Sequence, residues 1–321
     1  MRRAFQLFMS ALPLMIVAGL LYAGFFIKPE PKGHAVPQPV FARGDNFYGV
    51  TAGGPGLVWA VGSNGKIARS GDGGRTWHLQ PAAVRETLQD VAAWDAKHLV
   101  AVGNHGVVLI TEDGGASWKN VDVPKSNIAN KLVRVKAFSD GSAWATGEAG
   151  SVLHSTDFGK TWVQTGPGGD AAWNDIHVAS NLLCLVGEFG QIKISDDGGA
   201  SWKDSASPVK TSLMSVAFSD DSKGVAVGLG GTVLVTQDAG RNWAQETAAS
   251  SDDLFRVMWD ARRWLAVGAN GTVAIRSVES SNWSTRRISA LDRNWYTAIV
   301  RQGDSYYLGG SRVVAEPIAA L

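Results

Sequence analysis

Ser70-Gly-Asp-Gly-Gly-Arg-Thr-Trp77 returns as Thr111-Glu-Asp-Gly-Gly-Ala-Ser-Trp118, Ser155-Thr-Asp-Phe-Gly-Lys-Thr-Trp162 and Ser195-Asp-Asp-Gly-Gly-Ala-Ser-Trp202. Thr236-Gln-Asp-Ala-Gly-Arg-Asn-Trp243 departs from the pattern only at Asn242. In each copy the Asp (Asp72, Asp113, Asp157, Asp197, Asp238) is placed to accept hydrogen bonds from the backbone of its own turn, as Asx turns do. The Gly two residues later suits a positive φ. The closing Trp (Trp77, Trp118, Trp162, Trp202, Trp243) is large enough to anchor one unit on its neighbour. Repetition argues that these residues are structural, since five carboxylates spread around a periphery do not converge on one substrate. A sixth copy, Ser277–Trp283, is one residue shorter and has Glu279 where the Asp is expected.

The octapeptide is one beat of a longer repeat. A Gly after small or apolar residues recurs at Gly62, Gly103, Gly147, Gly187, Gly228, Gly268 and Gly309, at intervals of 41, 44, 40, 41, 40 and 41 residues. A second marker, an aromatic or Leu followed three residues later by an apolar residue, starts at Phe47, Leu88, Leu132, Trp173, Leu213, Leu254 and Trp295. Each unit reads as four short strands, in the second unit Leu88–Trp94, Leu99–Gly103, Val107–Thr111 and Ser117–Val121. Gly103-Asn-His-Gly106 and Gly62-Ser-Asn-Gly65 suit tight hairpins. About 40 residues and four strands per unit is the period of a propeller blade, which predicts an all-β, seven-bladed ring over residues 41–321. The seventh unit ends one strand short. The extended segment Ala35–Ala42 is therefore expected to pair with Arg312–Ala315 as the outer strand of that blade, protecting its edge.

Composition narrows the function classes. Across 321 residues, 30 Lys and Arg balance 29 Asp and Glu, which excludes nucleic-acid binding by bulk charge. A single Cys excludes a disulfide framework, and six scattered His leave no zinc-ligand spacing. Neither metal nor cofactor is expected. Cys184 lies in an apolar strand, Leu182–Val186, and reads as a small core residue.

The N-terminal end carries Arg2 and Arg3, then an uncharged, mostly apolar run from Ala4 to Ile27. Its length exceeds a signal-peptide core and matches a membrane-spanning helix of about 36 Å. Residues 1–27 are thus expected to be a short cytoplasmic end and a single-pass anchor in a bacterial inner membrane, with the ring in the periplasm. Residues 28–40, with Pro29, Pro31, Pro37 and Pro39, read as a semi-rigid linker.

The octapeptide is the BNR or Asp-box signature, shared by sialidases, sortilin-type receptors, some glycoside hydrolases and photosystem II assembly-factor propellers. Seven units with Ala-Val-Gly strands most resemble the photosystem II stability/assembly factor family. That resemblance implies a non-catalytic accessory protein on the lumenal or periplasmic side of an integral membrane complex. In a phototroph the client is photosystem-type, with the ring in the thylakoid lumen; elsewhere it is another membrane machine, an RND-type exporter being one association.

An enzyme would need a convergent site. No Gly-x-Ser-x-Gly, P-loop or His-Glu-x-x-His occurs. A sialidase-like site needs a Tyr–Glu pair in register, which is absent. Asp90 and Asp175 occupy equivalent innermost-strand positions with Arg134 between them, so they read either as an acidic pair or as ion pairs with that Arg. The expectation is no catalysis, no small-molecule substrate and no nucleic acid; the alternative is a glycan-binding or glycoside-hydrolase-like ring with exposed Trp and carboxylates in a groove. Charge distribution supplies the candidate surface. The fifth unit, Leu213–Asp253, has two positive and six negative residues, whereas the sixth, Leu254–Asn294, has seven positive and three negative. All seven positives are Arg: Arg256, Arg262, Arg263, Arg276, Arg286, Arg287 and Arg293. Arg suits interfaces because its fork pairs with carboxylates and stacks on aromatics, so this set is the expected partner-binding sector. Trp94, Trp259 and Trp264 flank loops between first and second strands and are further contact candidates.

Overall fold

The computed structural model describes residues 2–26, 40–179, 182–247, 250–277, 280 and 282–320. The chain divides into residues 1–39 and 40–321. Arg2–Phe26 is one helix with Pro13 inside it. Among the described residues no helix is long and apolar enough to cross a membrane. The described side chains of this helix run unbroken only from Met9 to Tyr22, about 21 Å of rise. The linker lies outside the described residues as far as Pro39.

Residues 40–321 form a seven-bladed propeller: six four-stranded antiparallel sheets and one of three strands, each in simple chain order. Blade two is typical, with strands Leu88–Ala93, Leu99–Gly103, Val108–Thr111 and Lys119–Asn120 running from axis to rim. The second strands Leu99–Gly103, Ala143–Gly147, Leu182–Gly187 and Gly224–Gly228 are buried at every position. A sheet covered on both faces needs continuous small and apolar residues, which is what the Ala-Val-Gly pattern supplies. The core is a series of seams between blades. Trp59 and Ile67 of blade one pack with Leu88, Leu99 and Trp118 of blade two, and Val100 and Ile110 of blade two pack with Leu132 and Trp162 of blade three.

The octapeptides are built as expected. The Asp72 carboxylate accepts from Thr76 N at 2.9 Å and from Thr76 Oγ1 at 2.6 Å, while Ser70 Oγ accepts from Gly74 N at 2.8 Å. Asp113, Asp157, Asp197 and Asp238 repeat the geometry. Trp118, Trp162 and Trp243 are buried, whereas Trp77 and Trp202 are partly so. Hydrogen bonds from Ser117 and Ser201 hold the Asp113 and Asp197 carboxyls down to about 2. A lowered carboxyl stabilises the fold above its ordinary value, about 4, and loses that contribution as pH falls towards about 2. The thermal midpoint, followed by Trp fluorescence, should therefore fall between about pH 4 and about pH 2. A midpoint that is flat across this window would show that the turns contribute nothing.

Two expectations about the seventh blade are corrected. Its core marker is Tyr296, not Trp295, and its repeat glycine is Gly310, not Gly309. Tyr296 pairs with Gly310 across a bulge as Leu254 pairs with Gly268. Asp292 makes this register favourable by accepting the Tyr296 hydroxyl at 2.9 Å, so the ring is buried while Trp295 stacks on Tyr48 with centroids 5.4 Å apart. The blade's third strand is Val314–Pro317 rather than Arg312–Ala315, and among the described residues its sheet has three strands. Val40–Ala42 forms no ladder with it, and 35–39 lie outside the described residues. Among the described residues, closure instead runs through side chains and single bonds. Phe47 N donates to Gly310 O at 2.7 Å, Thr297 Oγ1 to Tyr48 O at 2.8 Å and the Tyr307 hydroxyl to Gly73 O at 3.1 Å. Val40 packs beside Phe47, Trp77 and Val313, and Phe41 meets the Phe47 and Trp77 rings edge-on.

Candidate functional site

Innermost strands have no backbone partner on their axial side, so their amide groups need other acceptors. A bulge near the start of the inner strand in blades two to seven shifts the register by one residue. The residue after the bulge then turns its side chain to the next blade. Asp90 Oδ2 accepts from Val135 N at 3.2 Å, Asp175 Oδ2 from Val216 N at 3.1 Å and Ser215 Oγ from Val257 N at 3.2 Å. The equivalent residue in blade three is Arg134 and in blade six Arg256.

These residues make one buried charge cluster near the axis. Lys136 Nζ lies 3.1 Å from Asp175 Oδ1, and Ser215 donates its hydroxyl to Asp175 Oδ2 at 2.7 Å. Arg134 lies 3.7 Å from Asp90 and 3.9 Å from Asp175, and its Nη1 reaches across the ring to Thr297 O at 3.4 Å. Burial alone would raise Asp175, but Lys136, Arg256, Arg134 and the Ser215 hydroxyl outweigh it and hold the carboxyl well below the usual range. Of the two readings of Asp90 and Asp175, the structure shows the ion-paired one. Both are buried, and both oxygens of Asp175 and Oδ2 of Asp90 are taken by amides or cations, so neither is an acid or base facing a cleft. Lys136 was missed in the sequence, although its place two residues after Arg134 on a strand puts it on the same face. His177 is held neutral, its ring pushed down to about 3 chiefly by burial, and the buried Cys184 thiol is pushed up by the same cause. Among the described residues no group of His, Cys, Asp and Glu could hold a metal.

In blade six, where the octapeptide is shortened, the Trp finds a different partner. In three of the longer copies the Trp indole donates to the carbonyl of its own turn glycine, Trp77 to Gly74 O at 3.1 Å, Trp162 to Gly159 O at 2.8 Å and Trp243 to Gly240 O at 3.0 Å, while Trp202 donates to Thr165 O at 2.9 Å. That turn also covers the preceding blade, where Gly159, at φ +75°, lies against Ile110 and Trp94, each 3.0 Å from where a Cβ would stand. The shortened copy has no such glycine, and its Glu279 lies outside the described residues. Trp283 donates to Glu246 of blade five instead, at 2.7 Å. Arg276 binds the same carboxylate at 2.7 Å and 2.5 Å, and its guanidinium lies 5.7 Å from the centre of the Trp283 ring. Beside this cluster a groove of 530 Å³ opens between blades five and six, lined by Asp220, Lys223, Glu246, Trp259, Trp264 and Arg276 among others.

The seven Arg of the expected sector are not one patch. Arg256 is in the axial cluster, 3.9 Å from Asp175. Arg263 starts the second strand, where it pairs with Asp260 at 3.2 Å and donates to Ile318 O at 3.1 Å. Arg276 is tied to Glu246. Arg262, Arg286, Arg287 and Arg293 are exposed, the first in a loop, the next two on the outer strand Ser284–Arg287 and the last in the loop leading to blade seven. Of the tryptophans, Trp94 donates to Ser142 O at 2.8 Å in the seam with blade three. Trp264 is buried, and Trp259 packs on it at 4.9 Å at the edge of the groove.

Comparison with known proteins agrees with this architecture. A family model described as photosynthesis system II assembly factor YCF48 matches residues 80–204. The photosystem II assembly protein Ycf48 of Synechococcus sp. (strain JA-3-3Ab) is 27% identical over 191 residues, 56% of each chain. The photosystem II assembly lipoprotein Ycf48 of Synechococcus sp. (strain CC9902) is 26% identical over 186 residues, 55% of each. The chain thus spans just over half the length of these curated relatives. Among solved structures, YCF48 bound to D1 peptide superposes with a TM-score of 0.71 at 17% identity, covering 85% of this chain and 93% of the other. YCF48 from Cyanidioschyzon merolae gives 0.69 at 15% identity, covering 86% and 96%. In sequence through its middle blades and in fold around the whole ring, the chain is similar to the photosystem II assembly factor family of seven-bladed Asp-box propellers.

Proposed function

We propose that this chain is a non-catalytic accessory or assembly protein for an integral membrane protein complex, docking on it from outside the cytoplasm. The observation that carries the reading is the likeness to relatives named as assembly proteins, one of whose solved structures holds a peptide. The axial carboxylates, being consumed by ion pairs, support docking over catalysis. Residues 4–27 anchor the chain in the membrane in this reading. Leu14, Ile16, Val17, Leu20, Leu21 and Phe25 of the helix are all more than half exposed, an apolar surface that lipid would cover. Names of relatives as lipoproteins are in keeping with a membrane-associated, periplasmic or lumenal site.

The docking charges are the exposed members of the Arg set, Arg262, Arg286, Arg287 and Arg293. Arg256, Arg263 and Arg276 hold the fold together or line the axis. Reversing the four exposed Arg to Glu in the full-length protein should leave the melting curve unchanged and reduce retention of the membrane partner after detergent solubilisation. The salt sensitivity of retention should fall with it, because screened charge pairs carry that sensitivity. Equal retention by the variant and the parent at every salt concentration would remove these Arg from the surface.

The groove between blades five and six favours a second reading, a glycan-binding ring, because Trp259, Asp220 and Glu246 share it. Against it, Glu246 is already committed to Arg276 and Trp283, and Trp264 is buried.

A further inference from the structure

Pairing the charges at the axis leaves a remainder. Asp175 is saturated: Lys136 lies 3.1 Å from one oxygen, which also accepts from Ile176 N, while the other accepts from the Ser215 hydroxyl and Val216 N. Arg134 is the partner of Asp90. Arg256 is left over. Its single ion pair among the described residues is the 3.9 Å approach to the saturated Asp175, beyond hydrogen-bond reach, and its buried Nη1 has no hydrogen-bond partner there. Arg134 Nε is equally without one, on a residue that is only 6% exposed. Three cations (Arg134, Lys136, Arg256) thus share two carboxylates (Asp90, Asp175), which leaves a formal excess of one positive charge in a largely buried cluster. Burial and the neighbouring Arg256 both push the Arg134 guanidinium down, so the two Arg repel each other.

A buried cation without a partner is costly, and the guanidinium fork is shaped for a planar or tetrahedral oxyanion. The Arg256 side chain is 18% exposed, so it can be reached from solvent, whereas Lys136 is spent on Asp175. We propose that Arg256, backed by Arg134, forms an oxyanion site at the centre of the ring that takes one carboxylate or phosphate group. The site is separate from the exposed Arg of the docking surface and stands whether or not that surface is correct. A carboxylate source would be an acidic or C-terminal peptide group; a phosphate source would be the free ion.

Titration calorimetry of the full chain with inorganic phosphate and with acetate, at constant ionic strength made up with chloride, tests this. One saturable site per chain is expected for at least one of the two probes, and which of them binds identifies the source. Arg256→Gln should weaken it by about tenfold or more, Arg256→Lys by a smaller factor because charge stays and the fork is lost, and the surface variant Lys97→Gln should leave it unchanged. The melting midpoint in chloride gives an independent readout. Relief of the Arg134–Arg256 repulsion should leave Arg256→Gln as stable as the parent or more so, whereas a merely structural ion pair would make it less stable. No saturable binding of either anion, binding that persists undiminished in Arg256→Gln, or a lowered midpoint of that variant in chloride would each overturn the site.

Discussion

Replacing Asp175 by Ala should be among the most damaging single changes in the ring, costing about 3–5 kcal/mol. The carboxylate is fully buried and accepts from Ile176 N, Val216 N and the Ser215 hydroxyl while neutralising Lys136. Its removal leaves an uncompensated buried ammonium beside two guanidiniums and strips the inner strand of blade five of an acceptor. The amount corresponds to a fall in melting midpoint of roughly 10 °C for a domain of this size. Because the loss is one of charge balance, Lys136→Met added to Asp175→Asn should recover part of the loss seen in Asp175→Asn alone. Differential scanning calorimetry on the three variants decides. An Asp175→Ala midpoint within about 2 °C of the parent would mean that the cluster contributes little to stability.

Gly310→Ala should cost about 3 kcal/mol, at the upper end for overpacking. A Cβ there would stand 1.9 Å from Trp295 O, as one at Gly62 would stand 1.8 Å from Asn46 O and one at Gly268 1.9 Å from Asp253 O. The obstacle is backbone carbonyl, which cannot swing aside as a flexible side chain does. Gly71→Ala is the control: it is exposed, with nothing within 4 Å of its Cβ position, and should change stability by no more than about 0.5 kcal/mol. Urea denaturation separates the two outcomes. If Gly310→Ala unfolds at the parent's midpoint, the bulge that brings Trp295 O over the glycine is not as described.

The same glycine shows how far the sequence could be read. Six of the seven repeat glycines and six of the seven core markers are correctly placed by spacing alone, since the approach of a backbone carbonyl to the glycine recurs in every blade. In the last blade, Leu-Gly-Gly offers two candidates and Trp-Tyr two aromatics. The buried one is Tyr296 because Asp292 accepts from its hydroxyl and Arg312 donates to it, and those partners lie 4 and 16 residues away.

Repeated local chemistry was legible in the residues themselves. The octapeptide turn is closed by bonds four residues apart, so Asp72 to Thr76 or Asp157 to Thr161 needs no tertiary information. Blade number followed from the sevenfold spacing of the glycines and core markers, and so did the equivalence of Asp90, Arg134 and Asp175 at one position of successive inner strands, whereas Ser215 and Arg256 were joined to that series only by the structure. What each Arg does was decided only in three dimensions. Counting charge by blade joined seven Arg into one sector, yet Arg276 is neutralised by Glu246 from the preceding blade and Arg263 is held against the last residues of the ring. Arg256 meets a carboxylate 81 residues earlier in the chain. A propeller buries its charges between blades and at its axis, where partners come from different repeats, so single-blade arithmetic cannot separate a solvated Arg from a spent one. Ring closure belongs to the same class: the edge that spacing assigned to an added strand is tied, among the described residues, by Phe47, Thr297 and Tyr307, whose partners lie more than 200 residues away.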